Sequence, residues 1–323
     1  MMQILYSEIY QVLISAAELS FSLLSKTVPF MVMGVVFAEF IVALKVTDKV
    51  AYLARPISNF ANLRDECGAS FMTAFISPTS ANSMLASFYN DKRIEKKELF
   101  IASMMTSFPV VVMHWRPMLP VLIPLLGMTG IIYFCILMLI GFIKTLFIML
   151  AGRFLLEKTD YEPVNSPVEK RPEIKEAFKT SLQSSKSTVK RIVCMTIPVF
   201  FIVCILITTG AFDVLADHLA FVCEYFPIPP AGLSIIVAQF ADFIAAHSAA
   251  GTLLSTGVLT SKEVILTLLV GNVLSSVTMV LKYMIPYYVG IFGPKIGMQI
   301  LAIATTVRIG IMLVVIFALA LFW

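Results

Sequence analysis

Residues 75–88, with the sequence FISPTSANSMLASF, place a proline among hydrogen-bonding side chains in the middle of a long apolar segment. In a bilayer, backbone that is not helical is tolerated only where protein encloses it or where it lines a water-filled cavity. A membrane chain with this feature must therefore pack other helices around the break. The polar side chains of this stretch are Ser77, Thr79, Ser80, Asn82 and Ser83.

Composition indicates that the chain does lie in a membrane. Hydrophobic residues make up 59% of the 323 residues and charged residues only 14%, with a mean hydropathy of +0.91. Soluble domains are about 45–50% apolar and about 25% charged. We therefore predict an all-α polytopic protein of the cell membrane, with the lipid bilayer as its partner. The small net charge of +4 resides mainly in loops, which indicates membrane topology and no nucleic-acid partner.

One hydrophilic stretch divides the chain into two apolar halves. Residues 153–191 hold nine Lys or Arg and six Asp or Glu side chains. Short basic loops stay on the cytoplasmic side of a membrane, so we predict a cytoplasmic linker at 153–191.

Basic residues also flank the stretch around Ser77. Residues 45–66 and 90–98 each contain four Lys or Arg side chains, which predicts that both flanks are cytoplasmic. A segment that starts and ends on one face must be a re-entrant hairpin. Each arm has about ten residues, or roughly 15 Å of helix, which reaches the middle of a ~30 Å hydrocarbon core. The tip is predicted at residues 77–82, where Pro78 suits a turn because it has no N–H.

The second half repeats this order of segments. Residues 229–258 again have apolar arms around a polar centre, and the stretch before them, 211–226, is acidic with no Lys or Arg. At an offset of 165 residues, Asn82 falls on His247. Proline-broken helices follow both hairpins, at 99–126 and near Pro286.

Since the flanks of the first hairpin are basic and those of the second acidic, we predict that the halves face opposite ways. The predicted fold is thus two inverted-topology repeats, each with a re-entrant helical hairpin and a proline-broken helix, plus an extra N-terminal helix. The predicted domains are the extra helix at 1–26, the first repeat at 27–152, the linker at 153–191 and the inverted second repeat at 192–323.

The stretches FISPTSANSML and AQFADFIAAHSAAGTLL, with the broken helices after them, resemble the Gate, or nucleoside-recognition, domain superfamily. This superfamily includes concentrative nucleoside transporters, the membrane part of the ferrous-iron transporter FeoB and the spore-maturation membrane proteins. The resemblance covers residues 27–323 and implies that the hairpin tips and unwound helices line a substrate path. The chain is shorter than the nucleoside transporters and has no GxxxxGKS/T motif, so it lacks the FeoB GTPase.

The two predicted tips supply the first candidate site residues. Ser, Thr and Asn cap helix ends in many proteins, so both capping and solute contact are open for the five polar residues of the first tip. The second tip contains Asp242, His247 and Ser248. An ionisable group at membrane depth costs roughly 3 to more than 10 kcal/mol and marks a functional site by default. We predict that Asp242 is an ion ligand or proton carrier, or is simply solvated if the tip lies shallower, and that His247 is a titrating or a structural histidine.

Charged and amide side chains near the helix breaks complete the candidate set. Arg116 and Lys282 occupy matching places at an offset of 166 residues, each shortly before a proline. They either snorkel to the interface or face a central cavity and select anionic cargo. Gln239 and Asn272 either bond between helices or contact the solute.

Three further charged residues lie within apolar segments. Glu39 and Lys144 fall at similar predicted depths, so we expect a structural ion pair between them. Arg308 lies in the middle of a predicted span and needs an anion, for which Asp242 and Glu18 are candidates.

These features favour a transporter that moves a small polar solute through a midplane site between the repeats. Anionic and nucleoside-like solutes are both open, and coupling to Na⁺ or H⁺ is expected without any cofactor. A passive or partner-gated channel subunit and a non-transporting membrane assembly factor are the alternatives. The sequence has no HExxH or GxSxG motif, so we expect no enzyme, and the spacing of its five cysteines predicts no metal site. Homo-oligomerisation is left open.

Overall fold

The structure is a computed structural model that describes residues 2–43, 60–157, 173–209, 223, 226, 228–241 and 243–323. Over these ranges the chain is helical and contains no strand. The described part of the first half forms seven helices: α1 Met2–Ala43, α2 Asp65–Thr73, α3 Pro78–Asn90, α4 Lys96–Met105, α5 Ser107–Met113, α6 Trp115–Leu126 and α7 Met128–Leu155.

The second half begins with a long helix and then repeats the pattern of short helices and long spans. A 3₁₀ turn at Pro230–Gly232 precedes α9, and a π-helical turn at Val280–Met284 separates α11 from α12. Its helices are α8 Ile174–Thr208, α9 Leu233–Ala241, α10 Phe243–Ser255, α11 Ser261–Met279, α12 Ile285–Phe292 and α13 Pro294–Phe322.

Several of these helices are long and apolar enough to cross a membrane. Among the described residues they are α7, α11 and α13, and a fourth span results if α4–α5 and α6 count as one helix bent by 41°. The structure therefore has the helical, membrane-compatible architecture that the composition predicts.

Two helical pairs lie where the sequence predicts hairpins. Helix α2 packs against α3, and α9 packs against α10. At the first pair, ion pairs connect the start of α2 to the segment after α3: Arg93 lies 2.9 Å from Glu66, and Arg64 lies 3.2 Å from Glu98. Both ends of this hairpin are therefore next to each other.

The helix breaks have a clear cause in the prolines. A proline ring clashes with the carbonyl four residues earlier. Proline also has no N–H group that could donate a hydrogen bond to that carbonyl. Four residues before Pro109 is Met105, the last residue of α4, and four before Pro117 is Met113, the last residue of α5. Pro286 likewise follows the π-helical turn by two residues. Pro120 and Pro124 are accommodated inside α6.

Local structure recurs at the offset of 165 residues. Helix α4 begins with a capping box formed by Glu95 and Glu98, and α11 begins with one formed by Thr260 and Glu263. In each box the two side chains bond each other's backbone N–H groups, so both helix starts are fixed in the same way.

The turns before these capping boxes also match. After α3, the N–H groups of residues 93 and 94 donate to the Phe88 carbonyl, and after α10 those of 258 and 259 donate to the Leu253 carbonyl. Each turn has a residue with positive φ, Lys92 at 58° and Gly257 at 73°. The same turn is therefore built twice from different side chains.

Two buried clusters mark the two ends of the helix bundle. The first, which we call the Lys96 end, joins the starts of α2, α4 and α13 with the end regions of α7 and α12, through Cys67, Leu99, Ile148, Phe292 and Ile300. The second, the Ser261 end, joins the ends of α6 and α13 with the starts of α7 and α11, through Leu126, Tyr133, Val264 and Ile316.

Two predicted boundaries differ from the observed helices. The boundary at 26/27 falls inside α1, which continues through Pro29 to Ala43. Helix α8 begins at Ile174, inside the linker predicted at 153–191. Helix α8 packs against α1, which explains the early start of the helix.

Candidate functional site

The first hairpin tip divides into capping residues and exposed residues. Ser77 is the N-cap of α3, and its hydroxyl oxygen accepts hydrogen bonds from the Ser80 N–H at 3.2 Å and the Ser80 hydroxyl at 2.9 Å. These contacts account for Ser77 and Ser80 as helix-capping groups. Thr79 and Ser83 are exposed on the same helix and make no described hydrogen bond.

Asn82 is the buried member of the tip, with 3% of its surface exposed. Its amide donates to the Tyr287 hydroxyl at 3.0 Å, and its amide oxygen accepts from the Ser103 hydroxyl at 3.2 Å. These three residues, which we call the Asn82 cluster, connect α3, α4 and α12. A fully buried amide with both ends bonded fixes how the hairpin sits on the two neighbouring helices.

His247 occupies the matching position of the second hairpin and is also buried, at 1% exposed. Its Nδ1 lies 2.6 Å from the Phe243 carbonyl oxygen, so Nδ1 carries the proton and donates. The imidazole also packs against the Tyr133 ring of α7, with centroids 5.6 Å apart. His247 therefore contacts the first half of the chain, as Asn82 contacts the second.

A second polar group extends from Tyr133. Arg308 of α13 donates to the Asn272 amide oxygen at 2.7 Å and to the Ser276 hydroxyl at 3.1 Å, both on α11. The Asn272 side chain also lies near the Tyr133 hydroxyl. Together with His247, these residues form what we call the Arg308 cluster, at the contacts among α7, α10, α11 and α13.

Lys144 of α7 adds a second positive charge beside this cluster. Its side chain is buried, and the charge of Arg308 is close enough to repel it. Over the part of the chain that the structure describes, neither cation forms an ion pair with a carboxylate. The expected ion pair between Lys144 and Glu39 is therefore wrong.

Glu39 instead pairs with Arg116. The Arg116 guanidinium donates to the Glu39 carboxylate at 2.9 Å, which joins α1 to α6. Arg116 therefore has a counter-charge within the chain and is not a free charge that faces a cavity. Helix α1 packs along α6, and this packing brings the two side chains together.

The remaining candidates fall into three groups. Gln239 donates to the Leu268 carbonyl at 3.1 Å, which is an interhelical bond from α9 to α11, while its own amide oxygen is buried with no described partner. Ser248 is buried, and its hydroxyl has no described partner either. Asp242 lies outside the described residues, as does the side chain of Lys282, so their predicted roles have no structural account.

The sequence-based candidate set omitted the two tyrosines and the two serines that complete these clusters. Tyr133 and Tyr287 occur in apolar segments, where an aromatic residue is read first as core or lipid-facing. A useful signal is that Ser103 and Ser276 each lie in the helix that follows a hairpin, within a few residues of a break. Among the described residues, no three His, Cys, Asp or Glu side chains come together as a metal site.

A groove of about 400 Å³ lies apart from both clusters. It runs between α4, α7 and α13 at the Lys96 end, and its walls are mostly apolar. Lys96, Leu155 and Gln299 are among the residues that line it, so the start of α4, the end of α7 and the start of α13 are neighbours.

Comparison with known proteins identifies relatives that share nearly the whole chain. No profile of a known protein family matches the chain, and no solved structure matches it significantly. It is 28% identical to "Uncharacterized protein MJ0880" of Methanocaldococcus jannaschii, over 93% of this chain and 98% of that protein. It is 34% identical to "Uncharacterized protein MJ1556" of the same organism, over 92% of this chain and 95% of that protein. Similarity of this extent along both chains shows that the chain belongs to the family of MJ1556.

Proposed function

We propose that this chain is a multi-pass transporter of the cell membrane that moves a small polar solute between two inverted repeats, driven by a Na⁺ or H⁺ gradient. The solute path passes the buried polar clusters where the hairpin of each half meets the other half. The proposal includes the resemblance to the Gate superfamily, which implies that re-entrant hairpins and unwound helices line the path.

The observation that carries the proposal is the reciprocity of contacts between the halves. Asn82 and His247 stand 165 residues apart at matching positions, and each contacts a tyrosine of the opposite half, Tyr287 and Tyr133. The helix contacts are reciprocal too: α3 packs on α12 and α10 on α6, while α4 packs on α13 and α11 on α7. Two halves related by a pseudo-two-fold axis produce paired contacts of this kind.

The direction of the closing helices supports the inverted arrangement. The end of α7 and the start of α13 meet in the groove that contains Leu155 and Gln299. At the other end of the bundle, the Thr129 hydroxyl near the start of α7 donates to the Ser261 hydroxyl at the start of α11, at 2.8 Å. Helices α7 and α13 thus run in opposite directions, which supports an inverted arrangement of the two halves.

The first hairpin has the geometry that a re-entrant segment needs. Its two flanks are held together by the Arg64–Glu98 and Arg93–Glu66 ion pairs, so the chain starts and ends the hairpin at one end of the bundle. Its arms of 9 and 13 residues correspond to roughly 14 and 20 Å of helix, which is less than a full span of ~30 Å.

A channel or channel subunit would use the same clusters as a passive path, and an assembly factor would not need them. A buried network with unpaired cations is costly in a bilayer, which favours a role in solute binding over a purely structural one. This consideration ranks the transporter first among the three.

Counterflow in proteoliposomes tests the proposal. Purified protein is reconstituted and preloaded with an unlabelled solute from a panel of nucleosides and organic anions, and uptake of the labelled solute is followed. A transporter shows transient accumulation that Asn82→Ala removes and that Asn90→Ala, an exposed position on the same helix, preserves. Saturable exchange that Asn82→Ala does not change would show that the solute path does not pass Asn82. Uptake without counterflow would favour a channel.

A further inference from the structure

Two positive side chains belong to α7 and α13, which pack against each other in the helix bundle. Lys144 of α7 is only 7% exposed, and Arg308 of α13 is close enough for the two charges to repel each other. Within the described ranges, no carboxylate is placed to neutralise either of them. The repulsion is large in a low-dielectric interior, where charges interact several times more strongly than in water.

Neutral polar side chains contact Arg308. Arg308 uses one terminal nitrogen for both Asn272 and Ser276, and its Nε is buried with no partner among the described residues. The Ser276 hydroxyl accepts from Arg308 and already donates to the Asn272 backbone carbonyl at 2.6 Å, so its hydrogen is used. The Asn272 amide N–H groups can still donate, and the Tyr133 hydroxyl lies nearby. The site therefore has more donors than the protein itself satisfies.

This set of groups matches an oxyanion. A guanidinium presents N–H groups in a planar fork that fits a carboxylate or phosphate, and an ammonium adds a point charge of the same sign. An anion between the two cations removes their repulsion and gives the Nε hydrogen an acceptor.

We propose that Lys144 and Arg308, assisted by Asn272 and Tyr133, bind a carboxylate or phosphate group of the transported solute. The inference rests on the proposed function, since it assigns an anionic solute class to the path between the halves. Lys144 comes from the closing helix of the first half and Arg308 from that of the second. The site therefore lies at the interface whose rearrangement would expose a solute to either side.

Thermal unfolding of the purified protein in detergent tests the site directly. Inorganic phosphate and acetate are titrated separately against sodium chloride at equal ionic strength. We expect either or both oxyanions to raise the Tm above the chloride control in a saturable way, because a ligand that binds only the folded state stabilises it. No increase with either anion overturns the proposal.

Matched variants locate the effect. Arg308→Gln is expected to raise the concentration for a half-maximal shift by at least roughly tenfold. The control Lys295→Gln removes an exposed charge from the start of the same helix and should leave the shift unchanged. A shift that persists in Arg308→Gln, or that Lys295→Gln removes, contradicts the assignment.

Lys144→Met keeps the test valid if Arg308→Gln does not fold. Removing one of two repelling charges should raise the Tm in chloride and abolish the response to oxyanions. A structural role for Lys144 predicts a lower Tm with the response intact. A response that is absent from the wild type and present in Asp242→Asn would show that the chain supplies its own anion, and would also overturn the proposal.

The two proposals fail in different experiments. If oxyanion binding depends on Lys144 and Arg308 but no solute shows counterflow, the anion site is supported and the transporter proposal is contradicted. If an uncharged solute shows counterflow but oxyanions do not raise the Tm, the transporter proposal is supported and the anion site is contradicted.

Discussion

Asn82 of α3 donates a hydrogen bond of 3.0 Å to the hydroxyl of Tyr287 on α12, which follows it by 205 residues. The same amide accepts from Ser103 on α4, so a single side chain holds the first hairpin against both halves of the chain. A buried amide leaves two unsatisfied partners when it is removed, and this loss costs more than the hydrogen bonds themselves contribute.

Asn82→Ala is therefore expected to reduce the free energy of unfolding by about 2 kcal/mol, or to lower the Tm by roughly 4 to 8 °C. Thermal unfolding in detergent measures this change. Tyr287→Phe should cost less, and the double variant should cost less than the sum of the two single changes, because both remove the same bond. Strict additivity would mean that the bond contributes nothing.

The Glu39–Arg116 contact predicts a second stability effect. Glu39→Gln leaves a half-buried guanidinium without its counter-charge, with an expected loss of about 1–2 kcal/mol. Glu39→Gln/Arg116→Gln should recover part of that loss, since the two amides remain able to bond. Glu18→Gln, at an exposed position on the same helix, is the control and should change stability by less than about 0.5 kcal/mol. Equal losses of unfolding free energy in Glu39→Gln and Glu18→Gln would contradict a stabilising role for the ion pair.

Gly251 predicts how closely the second hairpin approaches the first half. A Cβ at this position would lie 2.9 Å from the backbone oxygen of Leu125 on α6. Gly251→Ala must push α10 and α6 apart, so we expect a loss of about 1–3 kcal/mol in unfolding free energy and a loss of transport. Gly310→Ala has no atom within 4 Å of its Cβ and should be neutral or stabilising by up to about 1 kcal/mol. A stable, active Gly251→Ala variant would contradict the close contact.

Much of the helix pattern follows from local rules in the sequence. Proline acts on the carbonyl four residues earlier, so Pro109 and Pro117 end α4 and α5 at predictable positions. Ser77 followed by Pro78 is a typical helix start, and it begins α3. These signals depend on neighbouring residues alone, which is why they can be read from one sequence.

Pairing between distant helices could not be read in this way. Glu39 has Arg116 as its partner and not Lys144, because the rotation of each helix about its axis decides which side chains face each other. The repeat led to Asn82 and His247, but it did not predict their tyrosine partners, since Tyr133 and Tyr287 do not occupy matching positions in the two halves. The sequence also does not show that Lys144 and Arg308 both lack a carboxylate partner among the described residues.

The proposed opposite orientation of the two halves can be tested at one pair of matching residues. Lys97 and Lys262 stand 165 residues apart, each in the first turn of the helix that follows its hairpin. In a background without the five native cysteines, Lys97→Cys and Lys262→Cys are exposed to a membrane-impermeant maleimide from each side of sealed vesicles. The account predicts that the two cysteines react from opposite sides, with Lys97→Cys on the cytoplasmic side. Labelling of both from the same side would contradict the inverted repeat and the path between its halves.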